Sequence, residues 1–278
     1  MNRLLSILFI IIALSSCDQQ SKAVAVNSSD YATDDMHPMD RLSNDKAGEV
    51  VRKAIEFAGG WEVWEQKNNF SFYKNITQLD STGATIKNER QLHQYNLDQG
   101  FQGRMTWDIG DDQYIIINNG NQAKKYKNND EMTDEHSKKI AWNSSFGSNY
   151  VISMPFKLTD PGVILTYDGI DSTTVGRAVH GVKVEYEKGA GSSGGYHTWW
   201  YYFDVKNYDL AANFLDYGNG YFLTTYETFA KVGDLRIHLK RFSYVSNDQK
   251  EKVMLKTIYE NEEMQFNSRI DESTFQLL

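Results

Sequence analysis

Stretch after stretch of this chain alternates apolar and polar side chains with a period of two. Phe101, Met105 and Trp107 alternate with Gln102, Arg104, Thr106 and Asp108. Val182, Val184 and Tyr186 alternate with Lys183, Glu185 and Glu187, and Leu235, Ile237 and Leu239 with Arg236, His238 and Lys240. Successive side chains of a strand point to opposite faces, so each stretch predicts a strand with one dry face and one wet face. Strands of a parallel sheet are buried on both faces and lack this alternation, which leaves an antiparallel sheet exposed on one side. Turn signals at Ser81-Thr82-Gly83, Asn118-Asn119-Gly120-Asn121 and Tyr217-Gly218-Asn219-Gly220 separate the strands, and about ten or eleven of them are expected. In the last stretch the apolar parity slips from Leu239 to Phe242 and Tyr244, which predicts a bulge or a strand break.

Two segments depart from this pattern. Val50, Val51, Ala54, Ile55 and Phe57 fit one face of a helix that stops at Gly59-Gly60, and Trp61 and Trp64 follow in a second short amphipathic piece. Thr133–Tyr150 is polar at first and then carries Ile140, Trp142, Phe146 and Tyr150. It predicts a helical insertion between two groups of strands, with Thr133 as its cap.

The first residues set the compartment. Met1–Arg3 is a short basic start, Leu4–Leu14 is almost unbroken apolar sequence, and Ser15-Ser16 leads to Cys17, the one cysteine of the chain. These are the parts of a secretory leader, and the run is too short for a comfortable membrane span. A cysteine directly after Leu14-Ser15-Ser16 resembles the lipobox of bacterial lipoproteins. That resemblance implies cleavage after residue 16, an acylated Cys17 as mature N-terminus, and a membrane anchor. Residues 17–45, rich in Ser, Asn, Asp and Ala, are expected to be a flexible tether reaching roughly 30 Å. Residues 46–278 are expected to form a single domain. With Arg3 removed, 28 basic residues face 37 acidic ones. This acidic balance, without a basic cluster, argues against nucleic acid as a partner. With Cys17 lipidated no disulfide is available, and 17 Tyr, 14 Phe and 6 Trp are left to supply the core.

A lipobox-like cysteine, a tether, a helix ending in Gly-Gly, a long antiparallel meander and a mid-chain helical insert together resemble the outer-membrane lipoprotein-sorting and carrier superfamily. The string Trp199-Trp200-Tyr201-Tyr202-Phe203-Asp204-Val205-Lys206-Asn207-Tyr208 looks like that superfamily's aromatic strand and the turn after it. Ile270-Asp271-Glu272-Ser273-Thr274-Phe275-Gln276-Leu277 is similar to its closing segment. Phe156-Lys157-Leu158-Thr159-Asp160-Pro161-Gly162-Val163 is similar to a family of uncharacterised lipoproteins. The resemblance implies a mainly β fold: a strongly curved antiparallel sheet forming an incomplete barrel, with helices packed at an apolar concave side that holds acyl chains.

Catalytic motifs are weak. Gly189-Ala190-Gly191-Ser192-Ser193-Gly194 fits a phosphate-binding pattern, and Gly191-Ser192-Ser193-Gly194-Gly195 fits a nucleophile elbow. Both need a helix after the glycines, whereas Tyr196-His197-Thr198-Trp199-Trp200 reads as a strand. Histidines 37, 93, 136, 180, 197 and 238 show no helical metal-site spacing. Asp111-Asp112 and Glu262-Glu263 are neighbours that point apart in a strand, unlike an acid/base pair held across a cleft. The aromatic strand is the strongest candidate site. Trp199, Tyr201 and Phe203 share one of its faces, Trp200 and Tyr202 the other. It is either a central strand covered on both sides or the wall of a ligand pocket, which is typically apolar and aromatic.

The sequence therefore supports a monomeric, non-enzymatic lipoprotein without cofactor or metal, anchored in the cell envelope at the outer rather than the inner membrane. It would bind a lipid or other hydrophobic small molecule. The expected cavity residues are Phe101, Met105, Trp107, Val184, Tyr186, Trp199, Tyr201 and Phe203. Two alternatives stay open: an envelope module that binds protein or glycan through its aromatic surface, and a hydrolase built from His93, His197 or Asp108.

Overall fold

The computed structural model describes residues 36–98, 100–191 and 196–278. The leader, Cys17 and the tether as far as residue 35 lie outside the described residues. Two groups of strands are joined by one long helix. The first group is β1 (Asn69–Leu79), β2 (Thr85–Asn96), β3 (Gln102–Ile109), β4 (Asp112–Asn118), β5 (Ala123–Lys127) and β6 (Asp130–Glu131). The second is β7 (Val163–Asp171), β8 (Val179–Tyr186), β9 (Thr198–Asp204), β10 (Leu210–Asp216), β11 (Tyr221–Val232), β12 (Leu235–Ser246) and β13 (Lys252–Phe266). Ahead of them lie α1 (Lys46–Phe57) and α2 (Trp61–Trp64), and between them α3 (Glu135–Ile152).

All thirteen strands form one antiparallel, unclosed sheet in the order β6-β5-β4-β3-β2-β1-β13-β12-β11-β10-β9-β8-β7. The chain thus winds outward to one edge at β6, and α3 carries it to the opposite edge at β7. It then winds back until β13 pairs with β1, with Phe70 opposite Phe266 and Gln78 opposite Thr257. The strand count exceeds the expected ten or eleven. Part of the surplus is β5, which holds three lysines in five residues, and β6, which has only two residues. Neither can carry an alternation signal.

The helices form where the sequence places them, for local reasons. Asp45 caps α1 by accepting from the Gly48 amide at 3.0 Å. Val50, Val51, Ala54 and Ile55 are buried, and each is worth roughly 1.5–3 kcal/mol relative to exposure. Phe57, expected on the same face, is exposed and lies under the Arg236 guanidinium. The helix ends because Gly59 takes φ +123°, a conformation that side chains disfavour. α3 is capped by Asp134, which accepts from the Ser137 amide at 2.9 Å, rather than by Thr133. Residues 36–45, ahead of α1, are among the described residues. Pro38–Arg41 is a short 3-10 helix, Leu42 is buried, and Arg41 donates to the Thr159 carbonyl at 3.2 Å.

Two helices cover two flanks of the concave face. The apolar face of α1 packs over β7 and β8, in one core with Val182, Val184, Tyr201, Phe203, Leu235 and Ile237. α3 packs over β3, β4 and β5, where Ala141 meets Met105, Trp107 and Ile116. Gly59 also abuts the β11–β12 turn, so an added Cβ would sit 2.6 Å from the Asp234 carbonyl oxygen. Gly59→Ala is therefore expected to destabilise the fold by about 1–3 kcal/mol, read as a lower midpoint in urea at unchanged slope.

Candidate functional site

Between the α1 core and α3 the concave face opens into a cavity of about 1670 Å³. This exceeds the roughly 300–1,000 Å³ typical of small-molecule pockets. One wall is apolar: Met105, Trp107 and Ile116 from β3 and β4, with Ile140, Trp142 and Phe146 from α3. Trp199, Leu215 and Phe222 line it from β9, β10 and β11. The floor is polar, formed by Lys74 and Gln78 of β1, Glu89 and Gln91 of β2, Arg241 and Ser243 of β12, and Thr257 and Tyr259 of β13.

The division has a local cause. Each central strand changes character along its length. On β1, Phe70 and Phe72 belong to the core, and Lys74 and Gln78 face the cavity. On β12, Leu235 and Ile237 belong to the core, and Arg241 and Ser243 face the cavity. The predicted irregularity on β12 is present at this boundary. Pairing with β11 skips Leu239 on β12 and Glu227 on β11. The irregularity does not exchange the faces: Arg241 and Ser243, in phase with Leu235 and Ile237, line the cavity, and Phe242 and Tyr244 do not. His238, expected on the wet face, is 2% exposed beside the break and packs edge-on against Tyr226.

A ladder of polar side chains runs down β2 at every second residue. Lys87 pairs with Glu89 at 2.9 Å, and Gln91 donates to Glu89 at 3.0 Å. His93 Nε2 lies 3.1 Å from Gln91 Oε1, and its Nδ1 lies 2.9 Å from the Tyr95 hydroxyl. Burial, aided by the charge of Lys74, holds the His93 pKa well below the usual imidazole value, so the ring is neutral at pH 7. Glu89 is therefore a compensated acid.

Lys74 and Arg241 are different. Both stand over the Tyr259 ring, at 5.0 and 4.7 Å from its centroid. Lys74 Nζ donates to Ser148 Oγ of α3 at 2.9 Å. No carboxylate of the described residues pairs with either cation, and Arg241 Nε is buried without a hydrogen-bond partner. Burial, and then the Arg241 charge, pull the Lys74 pKa down to about 7. The cavity as a whole is lined by seven Lys and Arg against two Glu, in a chain whose net charge is −8.

Of the sequence-predicted cavity residues, Phe101, Met105, Trp107 and Trp199 line the cavity. Val184, Tyr186, Tyr201 and Phe203 are buried in the core shared with α1, where Tyr186 accepts from the Tyr150 hydroxyl at 2.8 Å. The outer face of β9, with Tyr202 buried and Trp200 partly so, packs against Phe214 and Val175. The hydrolase positions stay separate: His93 is tied to Gln91 and Tyr95, Asp108 is exposed, and His197 lines the cavity. Gly189 and Gly191 also line it, and residues 192–195 of the glycine motifs lie outside the described residues. No cluster of three metal-ligating side chains occurs among the described residues. Sequence reasoning missed Lys74 and Arg241. For Lys74 a signal existed: it lies in phase with Phe70 and Phe72, on a face that should be dry.

A family model described as "Family of unknown function (DUF6503)" matches residues 41–272. Comparison with curated proteins finds no match. Among solved structures, a DUF1329 family protein from Desulfovibrio piger is similar at 7% identity, covering 84% of this chain and 98% of that one with a TM-score of 0.51. A putative outer membrane lipoprotein-sorting protein domain from Vibrio parahaemolyticus is similar at 11% identity, covering 82% and 94% with a TM-score of 0.50. A LolA superfamily protein from Nitrosomonas europaea follows at 10% identity, covering 83% and 97% with a TM-score of 0.47. The chain shares its fold with the putative outer membrane lipoprotein-sorting domain and the DUF1329 protein, the kind of fold that the sequence resemblance implied.

The uncompensated floor can be read through stability. An unfolded lysine keeps its proton to about pH 10.4, whereas folded Lys74 loses it near 7. The unfolded chain therefore binds more protons between these values, and Lys74 makes stability rise with pH across that window. Lys74→Met is expected to raise Tm by about 2–4 °C at pH 7, corresponding to roughly 1 kcal/mol, with the gain shrinking toward pH 10. Thermal melts of both proteins across this range measure it.

Proposed function

The chain belongs to the DUF6503 family, and we propose that it is a non-enzymatic lipoprotein of the cell envelope that holds a lipid or other hydrophobic ligand in the cavity. The observation that carries this reading is the cavity itself, large, open and walled on one side by Met105, Trp107, Ile116, Trp142 and Phe146. Apolar surface left open to water is unfavourable in proportion to its area, and an acyl chain would cover it at roughly 25 cal/mol per Å². The fold shared with a protein described as a putative outer membrane lipoprotein-sorting domain supports the same reading. Among the described residues no helix is long and apolar enough to cross a membrane. Acylation of Cys17 is the proposed means of attachment, with the outer membrane as its site.

Two experiments test the proposal. The full chain carrying Cys17→Ser, stripped of lipid, should take up a fluorescent acyl probe saturably, and Trp142→Glu should weaken uptake about tenfold or more while leaving the circular dichroism spectrum unchanged. Non-saturable or absent uptake would remove the carrier reading. The unmodified chain isolated from envelopes should show a mature mass beginning at Cys17 plus acyl groups. A chain that fractionates as soluble and unacylated would remove the anchor.

A further inference from the structure

The polar floor is not what a receptacle for a purely apolar ligand requires. Two cations sit there, Arg241 at 7% exposure and Lys74 against α3, with a tyrosine ring between them and no carboxylate to neutralise either. Burying a cation without a partner is costly, and sequences that need only an apolar surface place Leu or Met at such positions. The chain has the means to pair them, because Glu89 lies on the same floor, yet Glu89 is held by Lys87 and Gln91. Arg241 Nε and the indole Nε1 of Trp199, another cavity residue, are buried donors without a hydrogen-bond partner.

We propose that Lys74 and Arg241, held against Tyr259, form an anion subsite that receives the acidic head of an amphiphile whose chain lies along the Met105–Phe146 wall. This rests on the cavity reading above and names the class of ligand: a single-chain lipid ending in a carboxylate or a phosphate monoester. A guanidinium and an ammonium together offer several donors to either oxyanion, and charge-assisted hydrogen bonds are about twice as strong as neutral ones. The groups facing Lys74 are Arg241, Tyr259, Gln91 and Ser148, with Glu89 and His93 beyond them on β2 and His238 on β12. Glu89 is already paired and the two histidines are held neutral by burial, so Lys74 is the group whose charge an arriving anion changes. Its pKa near 7 makes binding at pH 8 take up a proton.

The test uses the full chain carrying Cys17→Ser, freed of lipid, with hexadecanoate, hexadecyl phosphate and hexadecanol as probes. The two acids are expected to bind about 10–100-fold more tightly than the alcohol, the span of one or two charge-assisted hydrogen bonds. The difference between carboxylate and phosphate shows which head the subsite prefers. In Lys74→Met and in Arg241→Met the acid-to-alcohol ratio should fall toward one, and Arg241→Lys should keep part of it. Thermal melts establish that each variant is folded. Calorimetry at pH 8 in buffers of different ionisation enthalpy should show proton uptake with the acids that Lys74→Met abolishes. Equal affinity of acids and alcohol in the unmodified site would overturn the anion subsite and leave the cavity reading standing. No binding of any probe would overturn both.

Discussion

An unclosed sheet that curves strongly must cover its concave face, and here two helices cover only the flanks. α1 seals the β7–β8 side and α3 the β3–β5 side. Over the central strands β1, β2, β12 and β13 the cover changes partway along. Their upper halves lie in the α1 core, and their lower halves are left to the cavity. The apolar-to-polar switch along each strand follows from this. Inward side chains in the core are mainly Phe, Tyr, Leu and Ile, and those that face the cavity are mainly polar, among them Lys74, Gln78, Glu89, Gln91, Arg241, Ser243 and Thr257. The cavity is thus a consequence of sheet size against helix length, and its floor is made of the strand residues that the two helices leave uncovered.

The β1–β13 ladder joins the two halves of the sheet, and a chain of aromatic contacts adds a second connection around that space. Trp64 lies edge-on to Phe266, which meets Phe70, then Tyr95, then Phe101. Phe101 meets Phe146 of α3, which continues to Tyr150 and to Tyr186 on β8. Neighbouring ring centroids along this path are 5.0–6.3 Å apart, within the range of favourable aromatic pairs. The path runs from the central strands across α3 to β8 near the far edge of the sheet, so the helix that walls the cavity also bridges the two strand groups. The sheet and α3 thus depend on one another for their placement.

Charge is distributed against the composition. An acidic chain turns basic groups inward, and the deepest of them lie against Tyr259 rather than a carboxylate. The ring quadrupole returns part of the lost hydration of each cation. It does not neutralise them, and burial, followed by the Arg241 charge, pulls the Lys74 pKa down to about 7. By contrast the polar ladder from Lys87 to Tyr95 satisfies its members in sequence, and it behaves as structure. A compensated line of polar groups beside an uncompensated pair of cations separates scaffold from site on the same floor.

The amino-acid sequence by itself determined the strand type, the single dry face, α1 with its Gly59-Gly60 stop, and a helix between Thr133 and Tyr150. These depend on local periodicity and turn chemistry, which a strand carries wherever it ends up. Period-two alternation also marked Met105 and Trp107 as inward, and both face the cavity. It marked Val184 and Tyr201 as inward as well, yet they lie packed in the core shared with α1, because alternation says which face a residue takes and not what stands opposite. Only the tertiary structure decided that β13 lies beside β1. That pairing joins the two ends of the strand sequence, and it brings Lys74, Tyr259 and Arg241 together from three strands. Nothing local encodes it. The pairing joins strands at opposite ends of the strand sequence, and the two cations at the floor are neighbours only through it.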